Sequence, residues 1–180
     1  VFSVCTSFRD YLLMTYFPFK SQLEGERAPD VLPQFMGDFA DTVQSRTPPD
    51  LLPFDHLTYD ASLPWRICQI YPTGTMKSSC GEAYDSWLQG VNNDIHILLV
   101  LSTKEMSERV TRFHTINFER NELFRHVFGD LNPPNTRDKR IWRTDAYIIE
   151  RPLNNQSPSL SLAGYQGALE GVRCDVARGD

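Results

Sequence analysis

The sequence predicts an α+β fold in which residues 1–180 form one domain, with a helical N-terminal third and a central β-sheet flanked by helices. Three observations favour this fold. Apolar residues recur at helical spacing in the first third, a nearly continuous apolar run lies at Ile95–Leu101, and short β-prone segments are concentrated near the end of the chain. A chain of 180 residues, 41% of them hydrophobic, is also long enough to bury a substantial core without disulfides or metals.

Two helices are predicted in the N-terminal third. The first covers Ser7–Phe17, since Pro18 is expected to end it, and its apolar positions are Phe8, Tyr11, Leu12 and Tyr16. The second is expected to be capped by Asp30, and its apolar face comprises Leu32, Phe35, Met36, Phe39 and Val43. The prolines of Thr47–Pro64 then predict a surface connection.

A strand and a helix are predicted next. Side chains alternate over Trp65–Tyr71, and Pro72 follows directly, which is typical of a strand that ends in a turn. Ser79 and Glu82 have the spacing of a capping box, in which the serine caps the first turn and the glutamate reaches back to it. A helix is therefore expected to begin at Ser79 and to end before Asn92.

Ile95–Leu101 is the clearest strand in the sequence. Only His96 is polar within it, and a run this apolar and this short is typical of a central strand buried on both faces. Ser102 and Glu105 form a second capping box directly after the strand. They predict a helix whose apolar face comprises Met106, Val110 and Phe113.

One more helix and three further strands are predicted in the last third. The helix covers Glu119–Phe128 and is expected to end at Gly129. The basic, proline-containing segment Asn132–Lys139 predicts an exposed loop. The strands are expected at Ile141–Glu150, Ser159–Leu162 and Gly171–Ala177.

Net charge and hydropathy disfavour several classes of protein. The 18 basic and 23 acidic residues give a net charge of −5 at pH 7, which opposes direct binding to the phosphate backbone of nucleic acid. No apolar run is long enough to span a bilayer, and the N-terminal region lacks the pattern of a secretory signal. We therefore expect an intracellular protein that contacts neither membrane nor nucleic acid directly.

No metal and no cofactor are predicted. The four cysteines lie far apart without the paired spacing of zinc ligands, which is typical of free thiols in a reducing compartment; they are Cys5, Cys68, Cys80 and Cys174. His114 and His126 lack thiol or carboxylate companions at ligand spacing. Neither of the common glycine-rich loops that bind phosphate occurs in the sequence.

Cys80 and His96 are the candidate catalytic residues. Cys80 lies near a predicted helix start, where the helix dipole lowers the pKa of a thiol, and His96 on the next strand is a candidate base. This pair predicts a small cysteine-dependent hydrolase or deamidase acting on an amide or acyl bond. The alternative interpretation is that Cys80 is a partly buried structural thiol and His96 a histidine with a backbone partner.

A small basic cluster is the candidate partner-binding site. It surrounds Trp142 and comprises Arg137, Lys139, Arg140 and Arg143. Such a cluster can bind an acidic protein surface or a phosphate group. The alternative interpretation is a solvated basic loop without a partner.

From Trp65 onward the sequence resembles the RolB/RolC family, the Plast oncoproteins carried on the transferred DNA of Agrobacterium. The resemblance begins at Ile67–Pro72 and is clearest at Asp94–Met106, where a hydrophobic strand runs into Leu-Ser and an acidic helix start. Further similar segments are Ile116–Phe118, Leu131–Pro134, Tyr147–Ile149 and Val172–Gly179. The resemblance is confined to residues 65–180.

The resemblance implies a protein that modulates plant growth from inside the host cell. Members of the family alter growth and hormone response, so this chain is expected to bind host plant proteins in the cytoplasm or nucleus. No enzymatic activity is agreed on for the family, so the resemblance implies none for this chain. The main hypothesis is a binding protein of the RolB/RolC type. The alternatives are a small enzyme that uses Cys80 and His96, and a binding module from an unrelated family.

Overall fold

A computed structural model describes residues 7–25, 27–46, 77–132, 146–150, 157–164 and 174–179. The chain divides into two compact units, Val1–Val91 and Asn92–Asp180. The first unit is helical where it is described, and the second combines helices with a mixed sheet, which confirms the predicted α+β class. The single domain expected over residues 1–180 stays a prediction.

The first unit begins with a continuous helical stretch in three parts. Helix α1 (Phe8–Tyr11) passes into a π-helical segment (Leu12–Tyr16), which passes into helix α2 (Phe17–Glu24). Ser7 caps the start, because its hydroxyl accepts a hydrogen bond from the Asp10 N–H at 3.2 Å. Gly25 ends the stretch in the left-handed region, with φ of 72°, where glycine carries no steric penalty.

The prediction that Pro18 ends the first helix is wrong. In an α-helix the proline ring would clash with the carbonyl four residues earlier. Here the turn before Pro18 is π-helical, and the Phe17 N–H donates to the carbonyl of Leu12, five residues back. This wider turn accommodates the proline, so the helix continues to Glu24.

Two longer helices complete the described part of this unit. Helix α3 (Gln34–Arg46) begins later than predicted: the Pro33 carbonyl accepts its first N–H groups, while Asp30 pairs with Arg27 at 2.8 Å instead of capping it. Helix α4 (Lys77–Val91) begins before Ser79, so the capping box predicted there is also wrong. The predicted end before Asn92 is confirmed.

Aromatic side chains form the core of the first unit. The Phe8 ring lies 5.4 Å from that of Tyr84, 5.5 Å from that of Trp87 and 6.4 Å from those of Tyr11 and Phe39, measured between centroids. Of these five residues, Phe8, Tyr11 and Trp87 are completely buried. Because rings at these distances attract each other beyond simple burial, this cluster holds α1, α3 and α4 together.

A four-stranded sheet organises the second unit. Its strands are β1 (Ile97–Leu101), β2 (Ala146–Tyr147), β3 (Leu160–Gly164) and β4 (Val176–Gly179), in the order β2-β3-β1-β4. β1 is parallel to both of its neighbours, with Ile97 opposite Leu160 on one side and Val176 on the other, and β2 is antiparallel to β3. β1 is therefore central, as predicted, although the strand begins two residues after Ile95.

Leu99→Ala should destabilise the protein by about 3 kcal/mol. Leu99 lies in the middle of β1 and is fully buried, so truncation removes apolar contacts and leaves a cavity. Urea unfolding followed by far-UV circular dichroism measures this loss. The control is Leu123→Ala, since half of that side chain is exposed. An equal effect of the two substitutions would contradict the buried central position of β1.

Two helices follow β1. Helix α5 (Lys104–Arg120) is capped by Thr103, whose hydroxyl accepts from the Met106 N–H at 3.2 Å, and not by Ser102 as predicted. Its buried positions are Val110, Thr111, His114, Asn117 and Phe118, whereas the predicted Met106 and Phe113 are only half-buried. Helix α6 (Glu122–Phe128) starts after a break at Asn121, which the predicted helix Glu119–Phe128 did not anticipate.

The predicted bounds of the remaining elements agree in part with those of the structure. Gly129 ends α6 with φ of 88°, as expected. β2 is a short part of the predicted strand Ile141–Glu150, β3 extends two residues past Leu162, and β4 starts later than the predicted Gly171. The strand predicted at Trp65–Tyr71 lies outside the described residues. Among the described helices, none combines the length and apolar character needed to cross a membrane.

Candidate functional site

The two candidate catalytic residues belong to different units. Cys80 is the fourth residue of α4 in the first unit, and His96 directly precedes β1 in the second. Cys80 therefore lies about one turn from the start of the described helix, near a helix start as predicted. Their use as a nucleophile and base stays a prediction, and it has to be judged from the surroundings of each residue separately.

The surroundings of Cys80 oppose the formation of a thiolate. The residue is 2% exposed. Burial raises the pKa of its thiol to about 12, and the positive charge of Lys20 only partly offsets that effect. A nucleophilic cysteine needs the opposite direction, because the thiolate is the reactive form. Cys80 thus has the properties expected of a structural thiol.

We expect Cys80 to resist alkylation in the folded protein. A thiol with a pKa of about 12 is roughly 3,000-fold less ionised at pH 7 than one with the ordinary pKa of about 8.5. The measurement is iodoacetamide labelling at pH 7, quantified for each cysteine by peptide mass spectrometry, with exposed Cys174 as the internal control. Labelling of Cys80 faster than a free model thiol would support the enzyme hypothesis instead.

His96 is bound to Asp175 at the start of β4. The His96 N–H donates to Asp175 Oδ2 at 2.8 Å, and His96 Nδ1 lies 3.3 Å from the same oxygen. In return, the N–H groups of Asp175 and Val176 donate to the His96 carbonyl at 2.9 and 3.2 Å. This reciprocal bonding fixes the start of β4 against the start of β1, which agrees with the interpretation of His96 as a histidine with a backbone partner.

Ser159 lies beside His96 on the other neighbouring strand, so the three parallel strands begin with a row of serine, histidine and aspartate. Ser159 is completely buried, and its hydroxyl accepts from the Ile149 N–H at 3.1 Å. A serine nucleophile has to be accessible to substrate. The row also lies at the amino ends of the parallel strands, whereas ligands of open α/β sheets bind beyond the carboxyl ends. We interpret the row as structural.

A polar cluster in the described part of the first unit joins α2 and the π-helical segment to α4. Lys20 Nζ donates to Ser79 Oγ at 2.8 Å and lies 3.5 Å from Glu82 Oε2, and the Tyr16 hydroxyl donates to the same carboxylate oxygen at 3.2 Å. Glu24 lies on the solvent side, 3.7 Å from Lys20. The Lys20 side chain is 16% exposed and that of Glu82 only 4%, so this is a nearly buried ion pair.

The pKa of the Tyr16 phenol indicates the chemical role of this cluster. Burial, together with the negative charge of Glu82, raises the pKa of the phenol well above its ordinary value. A tyrosine that acts as a base needs a lowered pKa, so Tyr16 is a hydrogen-bond donor here. Glu82 is in turn satisfied by Tyr16 and Lys20, which makes the cluster a buried structural link between helices.

A second buried polar cluster lies in the second unit. His114 Nδ1 on α5 and the Tyr147 hydroxyl on β2 are 2.9 Å apart, and both residues are fully buried. One turn further along α5, Asn121 donates to the side chain of Asn117 at 2.8 Å and accepts from the Phe124 N–H at 3.1 Å, which caps α6. These contacts join α5 to the sheet and to α6 and explain the helix break at Asn121.

Neither buried cluster was predicted from the sequence. Tyr16 and Lys20 are four residues apart, and Ser79 and Glu82 are three apart, so each pair lies on one face of its helix. The spacing is typical of polar residues that share a helix face, but the spacing of Ser79 and Glu82 also fits a capping box. The predicted basic cluster, namely Arg137, Lys139, Arg140, Trp142 and Arg143, lies outside the described residues.

Within the described ranges, no group of three or more His, Cys, Asp or Glu side chains is arranged to hold a metal ion. The absence of a bound metal or cofactor in the protein stays a prediction. In comparisons with known proteins, the chain matches no family model, no curated protein and no solved structure.

Proposed function

We propose that the chain is a plant growth-modulating protein of the RolB/RolC type, which acts by binding host proteins in the cytoplasm or nucleus of the plant cell. The resemblance of residues 65–180 to that family carries the proposal. Its clearest segment, Asp94–Met106, includes the whole of β1 and the cap of α5. Residues of a central strand and of a helix cap mainly support the fold, so the function is proposed from the family resemblance and not from the fold.

The burial and the raised pKa of the Cys80 thiol favour a binding protein over an enzyme. The thiol of Cys80 is buried, and its pKa is raised to about 12. An enzyme of the predicted kind needs an ionisable nucleophile, a base directed at it and donors for the oxyanion. The described surroundings of Cys80 do not supply an ionisable nucleophile, so we rank the cysteine-dependent enzyme second.

The basic cluster around Trp142 is the surface through which we propose that host proteins are bound. In a chain with a net charge of −5, the segment Arg137–Arg143 is locally basic, since it holds four cations and one anion, Asp138. Charge complementarity accelerates association and selects partners with an acidic surface. A tryptophan among cations adds an apolar contact of the kind that often dominates binding energy at interfaces.

The double substitution Arg140→Glu/Arg143→Glu should abolish the growth effect without unfolding the protein. We would express the wild-type chain and its variants in plant tissue at matched levels and score morphology and hormone response. The control for charge reversal outside the cluster is Arg27→Glu, since 86% of the Arg27 side chain is exposed and its ion pair with Asp30 is weak. Melting temperatures of the purified variants show whether each remains folded.

Cys80→Ala in the same assay separates the two hypotheses. A binding protein should keep its growth effect when a buried structural thiol is replaced by a small apolar side chain. If Cys80→Ala keeps the wild-type melting temperature but loses the effect, the enzyme hypothesis takes precedence. If the chain has no effect on plant tissue, or if the effect maps only to residues before Trp65, the RolB/RolC proposal is wrong.

A further inference from the structure

We draw no further inference here: the strongest candidate, the carboxyl edge of the sheet where Thr103 caps α5 near Gly164 and Gly179, is a helix N-terminus, and no unpartnered buried side chain in the described residues is known to be directed at it.

Discussion

Trp87→Ala should destabilise the protein by about 3–5 kcal/mol, a large part of the roughly 5–15 kcal/mol that stabilises an ordinary domain. Trp87 is completely buried on α4, with its ring 5.5 Å from that of Phe8 and 6.3 Å from that of Tyr84. Truncation removes the largest side chain of the aromatic core together with its attractive ring contacts. The expected result is a cooperative unfolding transition in urea, followed by far-UV circular dichroism, whose midpoint lies well below that of the wild type.

Leu23→Ala is the control for Trp87→Ala. Leu23 lies on α2 in the same unit, but 44% of it is exposed, so its truncation should change stability by about 0.5 kcal/mol or less. Comparable losses for the two variants would contradict the aromatic core. An unchanged urea midpoint for Trp87→Ala, followed by far-UV circular dichroism, would do so as well.

The sequence predicted those elements in which one local signal dominates. The apolar run Ile95–Leu101 is buried and central, and Gly129 ends its helix, because a continuous apolar strand and a left-handed glycine leave few alternatives. The predicted helix boundaries are wrong where another interaction competes with the local signal. Pro18 is accommodated by a π turn, and Ser79 and Glu82 bind Tyr16 and Lys20 instead of capping α4.

The candidate site was harder to predict than the fold, for a physical reason. Whether a thiol is reactive depends on its exposure and on nearby charges, and neither follows from sequence spacing. Asp175 is 79 residues from His96 in the chain, so no local pattern indicates that the two are bound. The same applies to Tyr16 and Glu82, which are 66 residues apart.

Lys20→Met should destabilise the protein by about 3 kcal/mol or more, because it leaves the carboxylate of Glu82 buried without its cation. Methionine keeps most of the length and apolar area of the lysine side chain, so packing changes little. The matched control is Arg27→Met, which removes an ion pair of 2.8 Å whose side chains are 86% and 80% exposed. That pair should contribute about 0–1 kcal/mol, since water screens it.

The double variant Lys20→Met/Glu82→Gln tests the cause of the destabilisation. Glutamine removes the buried charge but keeps an oxygen that can accept the hydrogen bond from the Tyr16 hydroxyl. The double variant should therefore recover at least half of the stability that Lys20→Met loses, because the cost lies in the unpaired charge and not in the lost contact. Urea midpoints of the wild type, both single variants and the double variant give the coupling free energy. The buried ion pair between α2 and α4 is contradicted if Lys20→Met lowers the free energy of unfolding no more than Arg27→Met does. It is also contradicted if Glu82→Gln adds to the stability that Lys20→Met loses.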